Sequence, residues 1–197
     1  MLKKSRSVIF VLLLFSFLFP AYVTAGDQKK AENFTLEDYN GKSHSLSDYK
    51  KAKAIVLVFV STQCPVSNAY NDRMESLFNE FRKKNVEFIG INSNKEEMPE
   101  EIKEHARKHN LNFTILKDKN NLIADKLGAR VTPEAYLLDK NFEILYHGRI
   151  DDSRSGEDIE NQDLRNAIND LLSGKKISVA EAKAFGCTIK RVKGAME

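Results

Sequence analysis

Two cysteines, Cys64 and Cys187, are the residues of this chain best suited to chemistry. Cys64 follows the apolar segment 54–60 and precedes Pro65, and proline is favoured at the first position of a helix. We therefore expect Cys64 to cap a helix, so that free N–H groups and the positive end of the helix dipole lower the pKa of its thiol. The alternative is an inert buried cysteine, but the carboxyl end of a parallel strand favours the reactive one.

Three roles are open for Cys187, which lies near the end of the chain. It could resolve an oxidised Cys64 by forming a Cys64–Cys187 bond, it could form a permanent structural bond, or it could stay free on a mobile tail. Gly186 and the charges around it favour an accessible arm, so we favour the resolving role.

A third feature is Pro133, which stands after Thr132 and just before the apolar segment 135–138. A proline at the mouth of a strand serves a turn, and such turns are where cis peptide bonds occur. An ordinary trans proline that ends a loop is the alternative, and both remain open.

The elements around these residues alternate along the chain. Asn40–Gly41 predicts an N-terminal hairpin, and segment 54–60 predicts a strand buried on both faces. One long helix is expected up to Phe81, followed by alternating strands and helices, a second hairpin and a helix that ends at Gly174. Strands joined by helices should be parallel, and the last two should be antiparallel. This order predicts an α/β, thioredoxin-like fold with a mixed central sheet and helices on both faces.

The two ends of the chain are predicted to lie outside this domain. Residues 1–25 have the pattern of a signal peptide, with three basic residues, the apolar segment 8–19 and a cleavage site before Gly26, and an uncleaved anchor helix is the alternative. We therefore expect an exported protein, periplasmic or extracellular, with its domain at 26–174. An arm at 175–197 carries Cys187 and a helical turn over 179–185.

Charge excludes some partners. The chain has 31 basic and 28 acidic residues, and removal of the three basic residues in 1–25 leaves 28 of each. A neutral mature protein with interspersed charges gives no reason to expect nucleic acid, or a membrane after signal cleavage. His105 and His109 are one helical turn apart with no third ligand nearby, so neither a metal nor a cofactor is predicted.

Several segments together resemble a known family. Residues 58–68, the Thr132–Pro133–Glu134 step, residues 146–152 and residues 186–190 are similar to peroxiredoxin-like redoxins. These proteins form the alkyl hydroperoxide reductase/thiol-specific antioxidant branch of the thioredoxin superfamily. The resemblance implies a thioredoxin fold and a thiol chemistry.

The resemblance also implies roles for individual residues. Cys64 stands at the position of the peroxide-attacking cysteine, with Ser61 in place of the family's threonine hydroxyl and Arg130 as a counterpart of its arginine. Thr132 and Pro133 match the loop that binds extended substrate chains. Ser61 also occupies the place of the first cysteine of a thioredoxin Cys-x-x-Cys motif, so a dithiol within that motif is excluded.

The predicted function is therefore that of an exported thiol-dependent oxidoreductase. Cys64 would attack a peroxide or a protein disulfide, Cys187 would resolve the product, and an external thiol reductant would regenerate the pair. Two alternatives remain open: a copper-binding protein that uses both cysteines and a histidine such as His147, and a redox-inactive thioredoxin-fold binding protein.

Overall fold

A computed structural model describes residues 29–192, so the predicted signal segment 1–25 lies outside the described residues. The strands are β1 (Thr35–Asp38), β2 (Ser43–Ser45), β3 (Ala54–Phe59), β4 (Val86–Asn92), β5 (Thr114–Lys117), β6 (Val131–Thr132), β7 (Glu134–Asp139), β8 (Ile144–Gly148), β9 (Glu181–Ala182) and β10 (Cys187–Thr188). The α-helices are α1 (Pro65–Ala69), α2 (Asn71–Phe81), α3 (Pro99–Lys108), α4 (Leu122–Leu127) and α5 (Asp163–Leu172). No helix within 29–192 is long and apolar enough to cross a membrane.

The main sheet has eight strands in the order β2-β1-β5-β4-β3-β7-β8-β9. β3, β4 and β5 are parallel to one another, whereas β7 is antiparallel to both β3 and β8. The N-terminal hairpin β1–β2 joins this sheet through an antiparallel contact between β1 and β5. The predicted mixed sheet with an N-terminal hairpin is confirmed.

All six residues of β3 are buried, because both faces of the strand are covered. Val56 and Val58 pack into a core that includes residues of α2, α3 and α5, whereas Leu57 and Phe59 pack into a second core with residues of α4. The strand therefore reads as a continuous apolar run, as a strand between two helical layers should. The prediction of helices on both faces is confirmed, and β3 delivers Cys64 from the centre of the molecule.

The helix after Cys64 is not continuous. The apolar spacing predicted one helix up to Phe81, but α1 ends at Ala69 and α2 begins at Asn71. Tyr70 lies between them with φ −95° and ψ −5°, and its buried hydroxyl donates to the carbonyl oxygen of Ser153 at 2.7 Å. A tertiary hydrogen bond thus accompanies a break that helical periodicity alone does not show.

The C-terminal segment is built into the sheets. The predicted helical turn over 179–185 is wrong, because β9 lies there and pairs in parallel with β8. Gly148 makes this pairing possible, since its φ is +147° and a Cβ on it would overlap the backbone of Ala182. The approach of two backbones, rather than local helix propensity, decides the structure here.

Replacement of Gly148 by alanine should dislodge β9. We expect Gly148→Ala to lower the free energy of unfolding by more than about 2 kcal/mol, because strain at a positive φ is added to a backbone clash. Gly174→Ala is the matched control: its φ of +68° is also positive, but its Cβ would meet nothing within 4 Å. Urea unfolding of both variants measures the difference, and equal losses would show that the close approach has no energetic role.

Candidate active site

Cys64 caps helix α1, as the sequence predicted. Its backbone is extended, with φ −84° and ψ 114°, and the N–H of Ser67 donates to its Sγ at 3.3 Å. Pro65 takes the first helical position. The side chain is only 3% exposed, so the sulfur is held against the start of the helix and away from solvent. A thiolate at this place would keep that N–H as a hydrogen-bond donor.

Cys64 and Cys187 form a disulfide with their Cα atoms 5.8 Å apart. β10 presents Cys187 by pairing antiparallel with β6, where Cys187 is opposite Thr132 and Thr188 is opposite Val131. The sequence had left this pairing open; in the disulfide Cys64 is buried and Cys187 is partly exposed.

The loop that ends in Pro133 lies directly against this pair. The Thr132–Pro133 peptide bond is cis, which the sequence had left open. The carbonyl oxygen of Thr132 is 3.3 Å from Cys64 Sγ, and both Thr132 and Pro133 are buried. Four of the predicted site residues, Cys64, Cys187, Thr132 and Pro133, are therefore brought together.

Ser61 is close to Cys64 but acts on the backbone. Its hydroxyl donates to Oε1 of Glu97 at 2.5 Å and accepts from the N–H of Cys64 at 3.0 Å. A hydroxyl has one proton, and here that proton is directed to the carboxylate rather than to the sulfur. The role expected of Ser61 from the family's threonine, a hydroxyl facing the reacting atoms, is not the one that this geometry provides.

Glu97 is the centre of a buried polar network that the sequence did not reveal. Its carboxylate is 1% exposed and also accepts from the N–H and the hydroxyl of Thr62, at 2.7 Å and 2.9 Å, and from Nδ2 of Asn92 at 2.6 Å. Asn92 in turn accepts from Nζ of Lys117 at 3.0 Å. Burial lowers the pKa of Lys117, while the charge of Glu97 opposes that shift. The network connects a buried cation to the loop that carries Cys64.

Arg130 contributes its backbone to the site. Its side chain is exposed, its N–H donates to Oε2 of Glu134 at 2.7 Å and its carbonyl oxygen accepts from Ile189 at 2.9 Å. Burial by itself raises the pKa of Glu134, but hydrogen bonds from His147 at 2.5 Å and from two backbone N–H groups outweigh it and hold that pKa below its usual range. Glu134 thus fixes the segment that leads into Pro133.

The predicted accessible arm is anchored on both sides of Cys187. Before it, a Cβ on Gly186 would overlap the carbonyl of Thr132. After it, Ile189 is buried, Lys190 N–H donates to Oδ1 of Asn94 at 2.8 Å, and Arg191 forms an ion pair with Asp125 at 2.7 Å. Cys187 therefore sits in a short docked strand with an exposed outer side.

The histidines do not assemble a metal site in the part of the chain that is described. Nε2 of His147 is hydrogen-bonded to Oε1 of Glu134. The two cysteine sulfurs expected to bind copper together with His147 form a disulfide with each other. His105 is hydrogen-bonded to Asn71. Burial is the main cause that lowers the pKa of His105, and the nearby His109 lowers it further. Residues 29–192 contain no cluster of three or more His, Cys, Asp or Glu side chains arranged to bind a metal ion.

Sequence reasoning missed Glu97 and Asn94, although both contact the site. Glu97 stands in the polar segment 94–97, which reads as an exposed loop, and its partner Ser61 is 36 residues away. The Pro99 that follows does predict a helix start, yet nothing local indicates that the preceding loop folds inward. Only the tertiary structure places these side chains at the site.

Comparison with known proteins extends these observations. The family model described as "AhpC/TSA family" matches residues 28–147. The chain is 33% identical to "Thiol-disulfide oxidoreductase ResA" of Halalkalibacterium halodurans over 121 residues, which are 61% of this chain and 66% of that protein. It is 30% identical to "Peroxiredoxin Q, chloroplastic" of Oryza sativa subsp. japonica over 123 residues, 59% of this chain and 55% of that protein.

Solved structures are similar over a longer part of the chain. The crystal structure of an uncharacterized conserved protein from Geobacillus kaustophilus has a TM-score of 0.80 and 30% sequence identity, and the match covers 85% of this chain and 93% of that one. The similarity therefore extends well beyond the family match that ends at residue 147.

Loss of the Glu134 carboxylate should change how stability depends on pH. Because its folded pKa lies below the usual 4.5, Glu134 stabilises the native state above that value, and this contribution is lost as pH falls through the folded pKa. We expect Glu134→Gln to lower the unfolding free energy at neutral pH by about 1–3 kcal/mol and to reduce its further fall in acid. Urea unfolding across pH tests this, with the exposed Glu104→Gln as control. A variant that loses stability in acid as steeply as the unmodified protein would contradict the assignment.

Proposed function

The chain belongs to the AhpC/TSA family, and we propose that it is an exported thiol-disulfide oxidoreductase that cycles between a Cys64–Cys187 disulfide and the dithiol. One observation carries this proposal: the buried helix cap Cys64 is bonded to a partly exposed cysteine on a separate docked strand. The relative named thiol-disulfide oxidoreductase points in the same direction. Export, with a signal peptide at 1–25, rests on the sequence pattern.

The reaction follows from the positions of the two sulfurs. In the dithiol form, the Cys64 thiolate attacks one sulfur of a substrate disulfide, so that a mixed disulfide forms and the other substrate sulfur leaves as a thiolate. Cys187 then attacks Cys64 Sγ, which restores the internal bond and releases the second substrate thiolate. The substrate gains two electrons and the protein loses two.

The supporting residues favour disulfide exchange over peroxide reduction. A peroxide oxygen is activated by donors that converge on it, but the Ser61 proton is directed to Glu97 and the Arg130 side chain points into solvent. The backbone of Thr132 beside Cys64 pairs with β10 in the disulfide form, which supports a role in holding an extended chain next to the sulfur. A protein or peptide disulfide is therefore the preferred substrate.

Peroxide reduction remains the second candidate because of the similarity to peroxiredoxin Q. In that case the Cys64 thiolate attacks a peroxide oxygen, the other oxygen leaves as alkoxide or hydroxide, and a sulfenic acid forms on Cys64. Attack by Cys187 then releases water and gives the same Cys64–Cys187 bond. The two candidates differ only in the oxidant, so one assay can separate them.

Substitution of each cysteine tests the proposal. We expect Cys64→Ser to abolish turnover, because the nucleophile is lost. Cys187→Ser, mixed with the peptide disulfide in the absence of free thiol, should stop after one turnover with the peptide joined to Cys64. Turnover of a model peptide disulfide and of hydrogen peroxide is measured with excess reductant, and Thr188→Ser serves as the control in β10. Turnover that survives in Cys64→Ser, or an internal bond that excess dithiothreitol leaves intact, would overturn the proposal.

The reductant should attack Cys187 rather than Cys64. Attack on a disulfide needs access opposite the leaving sulfur, and Cys64 is 3% exposed whereas Cys187 is partly open. Attack there releases the electron pair onto Cys64, where the Ser67 N–H can hold the thiolate. We expect glutathione, quenched rapidly with a maleimide, to appear on the Cys187 peptide and the maleimide on the Cys64 peptide in mass spectra. The reverse labelling would contradict this order of events.

A further inference from the structure

Glu97 is a buried carboxylate that the proposed reaction does not use. It lies between β4 and α3 and is 1% exposed, yet it contacts the loop between β3 and α1 through three hydrogen bonds. A buried acidic side chain is costly unless its charge is matched and its oxygens are bonded.

The Glu97 carboxylate accepts all four of its hydrogen bonds. The hydroxyls of Ser61 and Thr62, the Thr62 N–H and the Asn92 amide each donate to it. A set of donors matches an ionised carboxylate, which can only accept. The titratable groups facing it are Lys117, reached through Asn92, together with His105 and Lys190.

The link to Cys64 passes through one atom. Ser61 Oγ is 2.5 Å from Oε1 of Glu97 and 3.0 Å from the backbone nitrogen of Cys64. Because the Ser61 proton is committed to Glu97, its oxygen must accept from Cys64 and also from the N–H of Gln63 at 3.2 Å. None of these bonds involves the arm, so breaking the disulfide removes none of them.

We propose that Glu97 is a positioning residue for Cys64, whose buried negative charge, acting across Ser61, restrains ionisation of the Cys64 thiol. A second negative charge on the sulfur is disfavoured by a buried carboxylate that is two hydrogen bonds from the backbone nitrogen of the same residue. Glu97 thus opposes the stabilisation of the thiolate by the Ser67 N–H. The positive charge of Lys117 offsets part of this effect of Glu97. The inference rests on the proposed function in taking Cys64 as the reactive thiol.

Glutamine at this position separates the charge from the shape. With Glu97→Gln the amide donates to Ser61 Oγ, so the negative charge is lost while the hydrogen bond to Ser61 is kept. Loss of the charge stabilises the thiolate. Glu97→Asp keeps the charge but is one methylene shorter, so it loosens the loop without acidifying Cys64.

The experiment measures the acidity of Cys64 as the only thiol, in a Cys187→Ser background. Ultraviolet absorbance of the thiolate and the rate of alkylation by iodoacetamide are followed across pH. We expect Glu97→Gln to raise the thiolate fraction on the acidic side of the titration by about threefold or more. Glu97→Asp and the exposed Glu100→Gln should not acidify the thiol.

A second variant keeps the inference testable if Glu97→Gln does not fold. Lys117→Met removes the facing cation, so the thiolate fraction should fall instead. An unchanged titration in Glu97→Gln, equal acidification in Glu97→Asp, or no decrease in Lys117→Met would overturn the inference. None of these readouts needs turnover, so the inference can fail while Cys64→Ser still abolishes activity, and the proposed function can fail while the titration is as expected.

Discussion

The burial of β3 on both faces is the constraint on which the rest of the structure depends. Alternate side chains of this strand belong to two different cores, so it can neither shift its register nor tilt without opening one of them. The chain leaves the strand at a fixed point and enters α1 after five residues, 60–64. The position of the sulfur is thus a consequence of hydrophobic packing far more than of the residues beside it.

Polar contacts then fix the segments that hydrophobic packing brings together. The Ser61–Cys64 loop is held from behind by Glu97, and the cis Thr132–Pro133 step is held by Glu134. Both glutamates are buried, both bind backbone N–H groups, and each has a cation or a histidine as counterpart. Two segments that meet at one disulfide are therefore each fixed by a carboxylate that does not touch the sulfurs.

Much of this architecture could be predicted from local sequence patterns. The apolar run 54–60, the Asn40–Gly41 turn and the Cys64–Pro65 step predicted the central strand, the hairpin and the helix cap, because each depends on neighbours in sequence. The break at Tyr70, strand β9 and the inward Glu97 could not be predicted, because their partners are distant: Ser153, Gly148 and Ser61. For the site, residue types indicated the two cysteines and Pro133, whereas the direction of the Ser61 hydroxyl required the tertiary structure.

The disulfide closes a ring of chain between residues 123 positions apart, which includes β4 to β9 and helices α1 to α5. In the unfolded chain such a ring removes conformational entropy equivalent to about 5 kcal/mol in the loop-closure model. By thermodynamic linkage, the amount by which the disulfide stabilises the folded state equals the amount by which folding stabilises the disulfide. Redox state and conformational stability of this protein are therefore coupled, and any reaction that forms or reduces the bond also changes the free energy of unfolding of the domain.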